Sequence, residues 1–307
     1  TQALLIDTGV PAAPTITSPA SVNDTTPTFA GTAEPGSAIT VKVDGVTVCT
    51  DIVSASGAWS CRPITPLTIG SHNVSVTATD AANNVSPATI QTLIVDTTAP
   101  GAPTISMPTV GASVHDTPAF AGTAEPGSTV TVTEGPTTLC TATVDSAGNW
   151  SCTPATPLDE GSHTISVTVT DPAGNTSLAA EIPIGVDITA PSAPLITSRS
   201  NTLDSKPLLQ GTAEPGSIVT VVLDPDNNAA TNNSVTYVTT ANGLGFWSID
   251  TGSATPTSGT FPINGLAVGT RADVQVVARD AAGNISGVTS QKLFVGTQLY
   301  WPLLRAS

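Results

Sequence analysis

Gly31-Thr-Ala-Glu-Pro-Gly-Ser37 returns letter for letter as Gly122-Thr-Ala-Glu-Pro-Gly-Ser128 and again as Gly211-Thr-Ala-Glu-Pro-Gly-Ser217. The copies lie 91 and 89 residues apart, about the size of one small β-sandwich. Two other motifs recur in the same order. Asp7, Asp96 and Asp187 open proline-containing stretches, Asp-Thr-Gly-Val-Pro, Asp-Thr-Thr-Ala-Pro and Asp-Ile-Thr-Ala-Pro. Asp80, Asp171 and Asp280 open Asp-Ala-Ala-Asn-Asn, Asp-Pro-Ala-Gly-Asn and Asp-Ala-Ala-Gly-Asn. Three ordered motifs in three copies make the chain an array. The repeats are read as residues 8–96, 97–187 and 188–296; residues 1–7 read as the last strand of a preceding repeat, and 297–307 as a C-terminal tail.

Alternation of apolar and polar residues follows each heptapeptide, as in Ile39, Val41 and Val43, and precedes each Asp-x-Ala motif, as in Val74, Val76 and Ala78. A period of two with one apolar face is the pattern of a half-buried antiparallel strand. With 26 Gly, 26 Pro, 10% charged and 4% aromatic residues, the composition suits short strands and many turns. The expected fold is all-β: three immunoglobulin-like Greek-key β-sandwiches in tandem. Trp59, Trp150 and Trp247 each sit in a Gly-x-Trp-Ser context and are read as core residues.

The four cysteines fall into two like pairs, Cys49/Cys61 and Cys140/Cys152, with a turn midway between the members of each. Four cysteines allow three pairings, and the symmetry favours a bridge inside each of the first two repeats, across a hairpin. No second Cys-x-x-Cys or nearby His set completes a zinc site. Disulfides imply an oxidising compartment and hence secretion. The third repeat has no cysteine, and an apolar cross-strand pair around Tyr237 and Ile249, placed to within about two residues, is the expected substitute.

Net charge is −15, from 23 acidic and 8 basic residues, which argues against nucleic acid and anionic membrane surfaces as partners. No apolar run approaches the roughly 18 residues of a membrane span, and no secretory signal is visible. The acids concentrate at repeated loop stations: the linker Asp residues, Asp24/Asp116/Asp204, Glu34/Glu125/Glu214, and Asp80/Asp171/Asp280. In a Greek-key unit the loop after strand B, the loop after strand F and the start of strand A share one end. Asp96, Glu125 and Asp171 should therefore meet at one junction, with Asp24 reaching in from the preceding repeat. Asp187, Glu214 and Asp280 should meet at the next, with Asp116, and Asp159 and Glu160, nearby. Asp7, Glu34 and Asp80 form the N-terminal equivalent. Carboxylates gathered without Lys or Arg repel, and Ca²⁺, which takes six to eight oxygens, is the expected ligand. The competing reading is that Asp and Asn occupy these loops because they hydrogen-bond their own backbone. Each linker carries two prolines three residues apart, which favours an extended strut.

These motifs together, Gly-Thr-Ala-Glu-Pro-Gly-Ser, Gly-x-Trp-Ser, Asp-x-Ala-Gly-Asn and Val-Asp-x-Thr-Ala-Pro, resemble bacterial immunoglobulin-like repeats, the rods of giant surface adhesins exported by type I secretion. The resemblance covers residues 1–296. It implies a virulence-associated cell-adhesion role at the bacterial surface, calcium at the junctions on Asp96, Glu125 and Asp171 and on Asp187, Glu214 and Asp280, and contact with host-surface glycans. A monomer is expected.

The third repeat departs by 20 extra residues, placed near 224–265. Its Asp224-Pro-Asp226-Asn-Asn228 is read as a polar turn with some likeness to a calcium loop, and the insertion is a candidate ligand surface. Gly296 stands where a linker Asp is expected, whereas residues 1–7 suggest that the array continues on the N-terminal side. Catalysis is not expected: His72, His115 and His163 have no Ser or Cys partner in a recognisable arrangement.

Overall fold

The computed structural model describes residues 7–228, 231 and 233–296; the strand expected in residues 1–7, except Asp7, and the tail 297–307 lie outside the described residues. The chain is all-β, as the alternation requires. In the first repeat the strands are β1 (Ser21–Val22), β2 (Phe29–Thr32), β3 (Ala38–Val43), β4 (Val46–Ile52), β5 (Ala58–Cys61), β6 (Gly70–Thr79) and β7 (Thr89–Val95). The second repeat follows with β8 (Ser113–Val114), β9 (Phe120–Thr123), β10 (Thr129–Glu134), β11 (Thr137–Thr143), β12 (Asn149–Cys152), β13 (Gly161–Thr170) and β14 (Ala180–Val186). The third has β15 (Leu195–Ile196), β16 (Asn201–Thr202), β17 (Leu208–Thr212), β18 (Ile218–Asp224), β19 (Val235–Thr240), β20 (Phe246–Asp250), β21 (Arg271–Arg279) and β22 (Thr289–Val295). Contacts gather the chain into two compact units. One runs to Met107 and includes Ala119–Ala155 and Thr164–Ile182; the other comprises Pro108–Pro118, Thr156–His163 and the chain from Pro183 onward.

In the first unit, one sheet has the order β1-β7-β6-β3-β4 and faces the pair β2-β5. Ile39, Val41, Val43, Val74, Val76, Leu93 and Val95 from the large sheet enclose Phe29 and Trp59 from the small one. In the second unit the third repeat repeats this plan, with β16-β22-β21-β18-β19 against β15-β17-β20. Leu209, Val219, Val221, Tyr237, Trp247, Val274 and Leu293 lie in its core. Trp59, Trp150 and Trp247 are each 3% exposed, so the core reading of the tryptophans holds.

The first strand of each repeat changes partner midway. Thr15 N and Thr17 N donate to Thr32 O and Ala30 O, after which β1 crosses to run parallel with β7, Ser21 opposite Ile94. The heptapeptide glycine makes this docking possible. A Cβ on Gly31 would lie 1.9 Å from Thr15 O and 2.8 Å from Trp59 Cζ2; on Gly122, 1.9 Å from Thr104 O; on Gly211, 1.9 Å from Leu195 O. Only a residue without a side chain admits a neighbouring backbone so closely.

The bridges Cys49–Cys61 and Cys140–Cys152 are formed, with Cα atoms 5.9 and 6.0 Å apart. They do not cross a hairpin as expected. Cys49 lies on β4, which pairs with β3, whereas Cys61 lies on β5, which pairs with β2, so the bridge ties the two sheets together. The connection 53–57 is drawn away from a hairpin because Val53 N donates to Ser37 O and Ala33 N to Gly57 O, bonding it to the β2–β3 loop. In the third repeat, Tyr237 faces Val221 as Cys49 faces Val41, and both Tyr237 and Ile249 are buried in the core. The apolar substitution for the disulfide is therefore in register.

The extra length of the third repeat is divided rather than single. The β3–β4 turn spans 44–45 and the β18–β19 connection 225–234; the β5–β6 connection spans 62–69 and the β20–β21 connection 251–270. Asp226 accepts hydrogen bonds from Thr231 Oγ1 and Asn233 Nδ2, each at 3.1 Å, within the first of these.

Gly122→Ala should displace the strand around Thr104 and destabilise the second repeat by about 2–4 kcal/mol, at or beyond the usual overpacking cost because the clash is with backbone. Urea unfolding followed by tryptophan fluorescence measures it, with Gly101→Ala as the control, since no atom lies within 4 Å of a Cβ there and its φ is not positive.

Candidate junction site

Each linker aspartate lies beside the loop that follows the penultimate strand of the repeat after it, and an asparagine joins the two. Within the first unit, Asn175 Nδ2 donates to the main-chain oxygen of Asp96 at 2.9 Å and to Asp171 Oδ2 at 2.8 Å. Within the second, Asn284 Nδ2 donates to Asp187 O and to Asp280 Oδ2, both at 2.9 Å. At the N-terminal end Asn84 Nδ2 reaches Asp7 O at 3.2 Å and Asp80 Oδ2 at 2.8 Å. The same amide group thus clips the linker backbone to the loop aspartate three times.

The loop motif explains its own composition. The aspartate Oδ1 accepts the backbone N–H four residues on, at 2.8 Å for Asn84, 2.9 Å for Asn175 and 2.8 Å for Asn284. Closing that turn puts the residue before the asparagine at positive φ, which is why it is Asn83 (68°), Gly174 (93°) or Gly283 (102°). Strand pairing carries the turn into place, since Ser177 Oγ accepts from Val169 N and Ser286 Oγ from Ala278 N. On the linker side, Asp96 Oδ1 and Asp187 Oδ1 cap Thr98 N and Thr189 N at 2.9 and 3.0 Å. Thr189 Oγ1 also donates to both oxygens of Glu160.

The electrostatics follow from these bonds. Burial pushes Asp171 and Asp280 up, but the asparagine side chain and successive N–H donors outweigh it and hold both below the usual carboxylate range. The Asn84 side chain lowers Asp80 in the same way.

The remaining expected members are not brought in. Glu34, Glu125 and Glu214 are exposed on the β2–β3-type turns, where Glu34 and Glu214 offer their main-chain oxygens to Ser37 and Ser217. Asp24 is neutralised inside its own repeat, with Arg62 Nη2 on its Oδ2 at 2.6 Å, against the expectation of stations without a cation. Asp116 is bonded to His115 Nδ1, and Asp204 accepts from Lys206 N. Asn23, next to Asp24, does face the following loop: its Nδ2 would lie 3.6 Å from a Cβ on Gly174. Among the described residues no three of His, Cys, Asp and Glu gather closely enough to hold a metal ion. In this arrangement the group between the linker carbonyl and the loop aspartate is the asparagine amide. The asparagine that makes these contacts closes the motif in all three copies, and the expected site, built on carboxylates, did not include it.

Two nitrogens of one further side chain face acceptors. His72, 8% exposed, has Nδ1 2.7 Å from Asp44 Oδ2 and Nε2 2.7 Å from Thr68 O. Only the imidazolium can donate to both. The Asp44 bond, with Thr68, raises its pKa above the ordinary 6.5.

The bacterial Ig-like domain family matches residues 5–97 and 112–188. None of the curated proteins compared matches the chain. A solved tetra-tandem repeat from the extending region of a large adhesion protein shares 22% identity, over 93% of this chain and 75% of that one, with a TM-score of 0.27. Fibronectin(III)-like modules of Clostridium thermocellum CbhA share 17% over 67% of this chain and 100% of that one, with a TM-score of 0.41. The BSP domain of a biofilm-associated protein shares 14% over 96% and 67%, with a TM-score of 0.24.

Two measurements bear on these contacts. Asn284→Ala should leave the third repeat folded by circular dichroism yet raise protease cleavage within 187–194, since bonds to a charged acceptor contribute about 1.5–3 kcal/mol each. Because the His72 pKa is raised on folding, its stabilisation is full below the ordinary value near 6.5 and is lost as pH rises through the folded value. NMR titration of the His72 ring should therefore show a midpoint above 6.5 that falls back in Asp44→Asn.

With the sandwich topology and its recurring motifs in place, and the match covering more than half of the sequence, the chain belongs to the bacterial Ig-like domain family.

Proposed function

We propose that the chain is a non-catalytic spacer segment of a bacterial surface adhesin, in which successive Ig-like repeats are tied end to end and hold a distal part of the protein toward a host cell. The observation that carries this reading is the recurrence of one joint: Asn84, Asn175 and Asn284 each clip the backbone of a linker aspartate to the next repeat's loop. A tie repeated at the same place in each copy serves the array, not a single domain. Two disulfides support an oxidising, extracellular setting. Among the described residues no helix is long and apolar enough to cross a membrane. Export by type I secretion belongs to the proposal on the strength of the motifs alone, which, with their paired cysteines, look most like those of the giant non-fimbrial adhesin of Salmonella.

Calcium clamped by Asp96, Glu125 and Asp171, and by Asp187, Glu214 and Asp280, is the rival account of the joint. One substitution separates the two. Asn175→Asp adds a carboxylate where the amide now donates. If the amide is the tie, the variant repels Asp171 and cleavage at 96–103 rises with or without calcium. If calcium is the tie, the variant gains a ligand, and millimolar calcium protects the linker more than in the parent. Limited proteolysis in calcium and in chelator reads both outcomes. A second reading, a glycan- or receptor-binding module in the third repeat, is favoured by the two longer connections 225–234 and 251–270. A glycan array with the whole chain, and with each connection shortened, tests it.

A further inference from the structure

Charge is divided unevenly along this acidic chain. Residues 7–187 carry 16 acids against Lys42 and Arg62, whereas residues 188–296 carry seven acids against Arg199, Lys206, Arg271, Arg279 and Lys292. Three of those cations converge on one face of the third repeat. Arg271 lies directly opposite Phe294 across the β21–β22 ladder, and Asn201 of β16 lies opposite Phe294 on its other side. Partners across a ladder share a face of the sheet. Phe294 is 38% exposed and separates two shallow clefts, one reached by Arg271 and Lys292, the other by Arg199 and Leu203. Lys292 is tied to Asp273 at 3.2 Å and to Asn227. Arg199 and Arg271 are exposed, and among the described residues neither has a carboxylate within ion-pair distance. Asp204 also lines the second cleft, where it caps Lys206 N.

The other repeats act as internal controls. At the positions of Arg271, Phe294 and Lys292 the first repeat has Ser71, Ile94 and Thr92, and the second has Ser162, Gly185 and Pro183. The fold does not need these residues, because two repeats are built without them.

We propose that this face of β16, β22 and β21 docks exposed carboxylates on the first two repeats of a second copy of the chain. Charge complementarity selects the occupant: the first two repeats expose Glu34, Glu125, Asp159, Glu160 and Glu181 with two cations in their whole length. The overall −15 does not forbid the contact, since charges beyond about 8 Å are largely screened at physiological salt. Phe294 and Leu203 supply apolar area that excludes water from the guanidiniums. A cationic face in the third repeat of one copy and carboxylates in the first two repeats of another make a heterologous, head-to-tail contact, which propagates from chain to chain.

Sedimentation velocity of the whole chain tests the proposal. Concentration-dependent association is expected at about 50 mM NaCl and should weaken about tenfold or more at about 500 mM. Arg199→Glu with Arg271→Glu should abolish it; both side chains are exposed, and Arg199→Gln with Arg271→Gln serves if the reversal impairs folding. Carbodiimide cross-linking of mixed isotope-labelled and unlabelled chains should join Lys292 or Lys206 of one copy to acids within 7–187 of another. Monomeric behaviour at low salt, association indifferent to the substitutions, or cross-links confined to single copies would overturn it.

Discussion

A backbone oxygen resting where a side chain would otherwise be is the constraint from which the rest of each repeat follows. Thr15 O, Thr104 O and Leu195 O lie over Gly31, Gly122 and Gly211, with the indole of Trp59, Trp150 or Trp247 against the same glycine. The contact fixes the path of the chain that leaves each linker. Because that path is fixed, the linker aspartate carbonyl arrives beside the loop of the following repeat, and the asparagine amide can span the two. Core packing, strand docking and joint are thus successive consequences of one absent methyl group.

A joint made from a neutral amide behaves differently from one made by gathering charges. Hydrogen bonds from N–H groups favour the ionised aspartate, so the acid at Asp171 or Asp280 is stabilised without a counter-charge. The bonds are short-range and sit in a partly buried place, so salt screens them less than it screens an exposed ion pair. By contrast Asp24 with Arg62, half exposed, belongs to the class of surface pairs that contribute little. Which acids matter is therefore decided by what faces them, not by how many share a loop.

Fold was legible because its signals are local and repeated: alternation for strands, the heptapeptide for the turn and close approach, one tryptophan per core. The pairing of Tyr237 with Ile249 was legible only to within about two residues, because the extra length of the third repeat breaks the spacing. The disulfide route was not legible, since a 12-residue separation fits a hairpin as well as a crossing between sheets, and the crossing is decided by backbone bonds from 53–57 to the β2–β3 loop. The joint was half legible. Topology brought Asp96 toward Asp171 as the strand order demands, yet side-chain direction on the Glu-Pro-Gly turn has no signature in sequence, and Glu125 stays exposed. The asparagine was visible but carried no charge, and attention to carboxylates passed it by.

Recurrence of acids at loop stations has two physical explanations that make the same sequence. A metal cage needs several anionic oxygens aimed at one point. An Asx turn needs one carboxylate aimed at its own backbone, and a residue tolerant of positive φ before the closing asparagine. Asn83, Gly174 and Gly283 satisfy the second requirement. The donors converging on Asp80, Asp171 and Asp280 are those that an Asx turn requires. The hydrogen-bonded turn gives each residue of the motif a place in the geometry and presents an amide to the linker carbonyl.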